Sequence, residues 1–304
     1  MAEKIDHDQI FKVLIRSFFK DFMTLFLPEE AKLIDFRKVT FLEQEEFTDF
    51  PKDRKKIMDL VIKAGLKNGE EEYILIHKEF EARKPGDFRA FSERIYQYQC
   101  QLYLRYGKPV VSVVIFSDEQ KWQEVPPGNF TIEVAGRKYV DFNYHLIKLK
   151  NRNWREFMKY HNPLAYALMA KMELDKKQRA KLKADFLNLV LRCRINPARE
   201  NVLLNFIEKY VILNREEQKV YKQLTETDEK YLEVKKMITV YEEKGIEKGE
   251  LKSTREDVLE VLKVRFQNIP YAVKEKINYC DNLKKLKTLL RQAIIIKSIT
   301  DLKV

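Results

Sequence analysis

Ile57-Met-Asp-Leu-Val-Ile62, then Lys67-Asn-Gly-Glu70, then Tyr73-Ile-Leu-Ile-His-Lys-Glu-Phe-Glu81 is the stretch on which the fold turns. Two apolar runs either side of Asn-Gly predict a β-hairpin. It brings three carboxylates, Asp59, Glu79 and Glu81, to one end of the strand pair. Alternation puts Glu79 and Glu81 on one face and Phe80 on the other. A symmetric loop centred on Asn68-Gly69 sets Asp59 opposite Lys78, whereas an odd loop such as Asn68-Gly69-Glu70, or one bulge, sets it opposite Glu79. A slip of one residue moves the whole set to the other face, so both registers stay open.

Clustered carboxylates raise one another's pKa unless a cation lies between them. Oxygen-only donors suit a hard ion, Mg2+ or Mn2+. A basic fringe surrounds them: Lys52, Arg54, Lys55 and Lys56 before the first run, Arg83 and Lys84 after the second. That combination is what metal-assisted phosphodiester chemistry requires, with Lys55, Lys56, Arg83 and Lys84 as phosphate-binding candidates.

The chain of 304 residues carries a net charge of +11 and can hold two or three substructures. Residues 1–125 hold 21 Lys and Arg against 23 Asp and Glu, a net −2, which leaves +13 for residues 126–304. A near-neutral first part and a basic second part suggest chemistry in front and polyanion binding behind. With no apolar run of membrane-spanning length, no secretory leader in MAEKIDHDQ, and three scattered cysteines, the expectation is a cytoplasmic protein with no membrane partner. Scattered histidines argue against zinc.

Ile10 to Phe26 carries one apolar stripe at helical spacing and predicts a single first helix, stopped by Pro28; Asp8 and Lys12 lie one turn apart on it. Leu33 to Leu42 reads as a strand. After the hairpin, Asp87 is placed to cap a helix running to Tyr106, with Gly107 at its end. The β-branched run Val110–Phe116 reads as a strand buried on both faces, parallel to the Tyr73–Glu81 strand through the helical crossover. Two short strands about Gly136 and the run from His145 are expected to extend or cap this sheet. Helices are expected over 163–174, 176–195, 197–214 and 216–243, then an exposed helix or hinge about Gly245 and Gly249, and a leucine-rich tail able to pack on the helical half or on a second copy. The reading is α/β, with domains at 1–150 (nuclease-like), 151–250 (helical) and 251–304 (C-terminal helical).

The opening HDQIFKVLIRSFFKDFMTLFLPEEAKLIDF, the runs MDLVIK and YILIHKEFEARK, and FSERIYQYQCQLYLRYGKPVVSVVIF, in this order and spacing, resemble the Rpn family of recombination-promoting nucleases and putative transposases, of the PD-(D/E)XK superfamily. The likeness is dense over residues 6–117, weaker over 118–240, and returns in KGIEKGE and the tail. The resemblance implies a mixed sheet flanked by helices and a Mg2+-dependent DNA endonuclease, with Mn2+ as the other suitable ion. Asp59 and Glu79 would be metal ligands and Asp59, Glu79 and Glu81 the catalytic set. Met58 replaces the motif's Pro. Glu81 replaces Lys or Gln, which makes it an added ligand or a general base, or else marks a catalytically impaired, DNA-binding or assembly protein on a nuclease fold. Asp8, Lys12, His77, Arg94 and Tyr98 are supporting candidates, His77 also reading as a sheet histidine and Tyr98 as part of the core stripe. A homodimer suits double-strand cutting, and RNA is the alternative substrate.

Overall fold

The computed structural model describes residues 7–42, 60–79, 85–296 and 298–302. The chain divides into two compact units, Met1–Tyr231 and Leu232–Val304.

In the first unit the expected opening helix is interrupted. Helix α1, His7–Ser17, gives way at Phe18 (φ −128°, ψ 33°) to α2, Phe19–Phe26, and Pro28 starts a third short helix, α3, Pro28–Leu33. The apolar stripe survives the break, since Phe11, Leu14, Phe18 and Phe22 are all buried. Strand β1, Ile34–Leu42, pairs antiparallel with β2, Leu60–Leu66, which pairs antiparallel with β3, Glu71–Glu79. Helix α4, Phe88–Tyr106, then crosses to β4, Val110–Phe116, which lies parallel to β3. Asp87 caps α4 by accepting from the Ala90 N–H at 3.0 Å, and Gly107 ends it in the left-handed region at φ 62°.

The hairpin register departs from both expected alternatives. Leu60 pairs with Ile76 and Ala64 with Glu72, an arrangement centred on Asn68. The loop is Lys67-Asn68-Gly69: the Gly69 N–H donates to the Leu66 carbonyl at 3.0 Å, the Leu66 N–H to the Glu70 carbonyl at 2.8 Å, and Gly69 takes φ 93°. A three-residue loop with glycine in the left-handed position is a favoured hairpin connection. Strand β2 also runs further than its apolar run, through Lys63-Ala64-Gly65. A Cβ at Gly65 would come within 2.8 Å of the Lys38 Cβ, so the β1–β2 approach needs glycine there.

Strands β5, Asn129–Val134, and β6, Arg137–Asn143, make a separate two-stranded sheet, whereas β7, His145–Lys148, extends the main one, whose order is β1-β2-β3-β4-β7. One face of the main sheet is covered by α4: Phe91, Ile95, Tyr98 and Leu102 meet Val61, Val114 and Phe116. Full burial of each such apolar side chain contributes about 1.5–3 kcal/mol. The small sheet joins this layer, with the Tyr96 ring centroid 5.4 Å from those of both Phe130 and Phe142 in tilted contacts. On the opposite face Ile115 and Leu149 sit among Phe11, Leu14, Phe22 and Leu164.

A short helix not among those expected, α5, Trp154–Phe157, comes first, and the expected helices follow in shorter form: α6, Pro163–Leu168; α7, Arg179–Arg192; α8, Pro197–Tyr210; and α9, Arg215–Thr227. The helix expected over 216–243 stops at Asp228, whose carboxylate accepts from the Lys230 N–H at 2.9 Å. In the second unit α10, Leu232–Phe266, runs unbroken through Gly245 and Gly249 and packs with α11, Tyr271–Asn278, and α12, Leu283–Ile295, around Val258, Leu262, Ile277, Leu286 and Leu289. Among the described residues no helix is long and apolar enough to cross a membrane.

Candidate active site

The sequence points to the C-terminal end of β3. Glu79 is the last described residue of that strand and is in register with Phe116, the last residue of β4, which is in register with Lys148, the last residue of β7. His77 is in register with Val114. Asp59, Glu81, Lys55, Lys56, Arg83 and Lys84 lie outside the described residues. Of the expected catalytic set, the structure therefore places the backbone of Glu79.

The segment after β4 adds a charged network at this end of the sheet. Ser117-Asp118-Glu119 leaves the strand and meets buried lysines. Lys148, with 0% of its side chain exposed, pairs with Asp118 at 2.5 Å, donates to the Asp118 carbonyl at 3.0 Å, and lies 5.1 Å from the Trp122 ring centroid. Lys171, 2% exposed, pairs with Glu119 and sits 4.4 Å from the Tyr210 ring centroid. Glu119 also takes Lys150 at 3.2 Å, and Lys121 pairs with Glu173 at 2.6 Å. Burial pulls the Lys148 and Lys171 ammonium groups below the usual lysine range, against the opposing pull of Asp118 and Glu119. Burial pushes Glu119 up, but the Lys171 hydrogen bond and charge, with Lys150, carry it below the usual carboxylate value.

The opening helix reaches the same end. Phe11 lies 5.0 Å from Phe206 and 6.0 Å from Tyr210, and Tyr210 lies against Lys171. Phe11 therefore turns toward the Tyr210 side of the helical layer. Asp8 and Lys12 form an i,i+4 pair at 2.8 Å. Arg94 stacks its guanidinium 5.1 Å from the Phe91 ring on its own helix, and Tyr98 is 1% exposed within the α4 core.

The residues that sequence reasoning missed are Asp118, Glu119, Lys148 and Lys171. A local signal existed for three of them: SVVIFSDE and HLIKLK each carry charge directly onto the end of an apolar strand. Among the described residues no group of three His, Cys, Asp or Glu side chains could hold a metal ion. The expected donors Asp59, Glu79 and Glu81 are all carboxylates, a set whose chemistry fits Mg2+ or Mn2+. Comparison with family models, curated proteins and solved structures finds no match.

Proposed function

We propose that this chain is a metal-dependent DNA endonuclease on a PD-(D/E)XK-type core, acting in the cytoplasm. One observation supports it most: an antiparallel meander and a helical crossover bring Glu79 to the end of a strand parallel to β4. In open α/β sheets, ligands bind beyond the carboxyl ends of the strands. The order of helix, three meandering strands, helix and parallel strand is the one read from the sequence.

In this reading Asp59 and Glu79 would hold Mg2+, which when bound would neutralise charge at the phosphate and activate water. Glu81 accepts the proton of the attacking water or adds an oxygen ligand. Lys55, Lys56, Arg83 and Lys84 grip neighbouring phosphates. Asp8, Lys12, His77, Arg94 and Tyr98 support the site. Two copies would cut both strands of a duplex, and one suffices for nicking.

The test is cleavage of supercoiled plasmid by the purified protein with Mg2+ or Mn2+. The expected result is metal-dependent nicking that Asp59→Ala abolishes. Inactivity of the parental protein, with activity gained in Glu81→Lys or Glu81→Gln, would instead make this chain a nuclease fold that lost its chemistry at residue 81. Inactivity of all of them refutes the proposal.

A further inference from the structure

A cavity of about 540 Å3 lies in the helical layer between the start of α6 and the end of α7. Both walls are held by contacts of their own. Asn162 caps α6 by accepting from the Ala165 N–H at 3.1 Å, and its amide donates to the Asp21 carbonyl at 2.8 Å, which anchors the backbone beside His161. Cys193 closes α7, its thiol donating to the Leu189 carbonyl at 3.3 Å. Arg194 then takes φ 47°, a left-handed turn that stops the helix ahead of Ile195. Small ligands occupy preformed cavities of this size.

The lining sets the chemistry of the occupant. Leu189, Ile195 and the Tyr166 ring make an apolar wall, and the polar groups are His161, Arg192, the Cys193 thiol and the Tyr166 hydroxyl. All four can donate a hydrogen bond, and no carboxylate lines the cavity. Tyr166 is 6% exposed, and its hydroxyl makes no hydrogen bond among the described residues. Burial and the neighbouring Cys193 push its pKa up, so it stays a protonated donor. Arg192 is exposed and has no ion pair among the described residues. Burial, with Asp21 and Glu200, pushes the Cys193 thiol up and keeps it uncharged. Of those two carboxylates Asp21 is paired with Arg199 at 3.0 Å, and burial raises the pKa of Glu200 as well.

We propose that this cavity binds a small amphipathic organic anion, an apolar carbon body ending in a carboxylate, sulfonate or phosphate, with Arg192 on the anionic group, Tyr166 donating to a ligand oxygen and the body against Leu189 and Ile195. A guanidinium supplies charge-assisted, bidentate hydrogen bonds to such a group. The buried hydroxyl gains the partner it lacks, which removes the cost of leaving it unsatisfied. None of these residues belongs to the nuclease reading, and the site stands whether or not the chain cleaves DNA.

The experiment uses the cysteine in the wall as a reporter. The full chain is alkylated with iodoacetamide over a titration of anilinonaphthalene sulfonate, an aromatic anion, and the rate at each cysteine is read by mass spectrometry of its peptide. Saturable slowing at Cys193 is expected, with Cys100 and Cys280, which are also partly buried, unaffected. Arg192→Gln should raise the concentration for half-protection about tenfold or more, and Tyr166→Phe about two- to tenfold. Arg137→Gln, on the separate small sheet, should leave it unchanged. Phenylnaphthylamine, the same body without the sulfonate, should protect far more weakly. No protection of Cys193, equal slowing at all three cysteines, equal protection by phenylnaphthylamine, or an unchanged midpoint in Arg192→Gln overturns the proposal. Near-UV circular dichroism checks that each variant keeps its fold. If Tyr166→Phe does not, the exposed Arg192 and the two probes on the parental protein still decide.

Discussion

The sheet carries an ion pair at each of its two edges. At β1, Asp35 and Arg37 pair at 2.9 Å across two residues of one strand, and the Arg37 side chain is 89% exposed. At β7, Lys148 pairs with Asp118, thirty residues earlier in the chain, with side chains 0% and 7% exposed. The first pair forms wherever the strand forms and, among the described residues, takes no further ion-pair partner. The second can form only when β4 and β7 lie side by side, at the level of Glu79 in the neighbouring strand. A local, hydrated pair contributes little because water replaces either partner. A buried one must be complete, because a single charge left inside is costly.

The largest effect should come from splitting the buried pair. Lys148→Met leaves the Asp118 carboxylate without its ammonium in a site that excludes water, and the expected loss is about 3–5 kcal/mol of folding stability. Urea unfolding reads this as a shift in midpoint at constant slope. Adding Asp118→Asn removes the stranded charge and should recover most of the loss, although the Gln120 N–H that donates to Asp118 at 3.1 Å keeps a weaker acceptor. A single-variant loss under about 1 kcal/mol would place this pair with the solvated ones.

This contrast also marks what was legible in the sequence. Helix α4 is announced by local features, Asp87 at its start and Gly107 at its end, and β4 by an unbroken β-branched run. The Asn68-Gly69 turn is legible as a turn, but its length is not: which residues pair depends on whether Gly69 closes a three-residue loop, and that is settled by the packing of both strands. Ala64 and Gly65 are poor strand formers held in β2 by pairing with other strands, Ala64 with Val39 and Glu72 and Gly65 with Glu71. The break at Phe18 has neither glycine nor proline to announce it, and the stop at Asp228 has only one aspartate. Of the candidate site, Glu79 at a strand end could be read from periodicity. The burial of Lys148 and Lys171 could not, because lysine is ordinarily a surface residue and only tertiary structure shows it.

An intermediate case lies between the two edges. Glu119 is 71% exposed while its partner Lys171 is 2% exposed. Lys171→Met should cost about 1 kcal/mol or less, since Glu119 can hydrate where Asp118 cannot. The pH dependence is more telling. The folded pKa of Glu119 lies below its usual value of 4.5. Its contribution is therefore full above that value and is lost as pH falls through the lower folded one. In Lys171→Met that acid-limb contribution should shrink. Lys171 itself has a folded pKa below the usual 10.5, so the unfolded chain binds more protons in the window just beneath that value. Parental stability should gain a rising component with pH there, which the variant lacks. Identical pH–stability curves for the two proteins would mean that Lys171 and Glu119 are not coupled.

The smallest effect belongs to β1. The Arg37 guanidinium and its backbone N–H, both donating to Asp35, lower that carboxyl from 3.8 to about 2. By sign, whatever stabilisation the pair gives is present above 3.8 and disappears as pH falls through about 2. Arg37→Ala should raise the Asp35 pKa in an NMR titration, though not all the way to 3.8, because the residue 37 N–H still donates. The melting temperature at neutral pH should stay unchanged. A clear fall in melting temperature would show that this open edge depends on its ion pair as the buried one does, and the distinction between local hydrated pairs and long-range buried ones would fail in this protein.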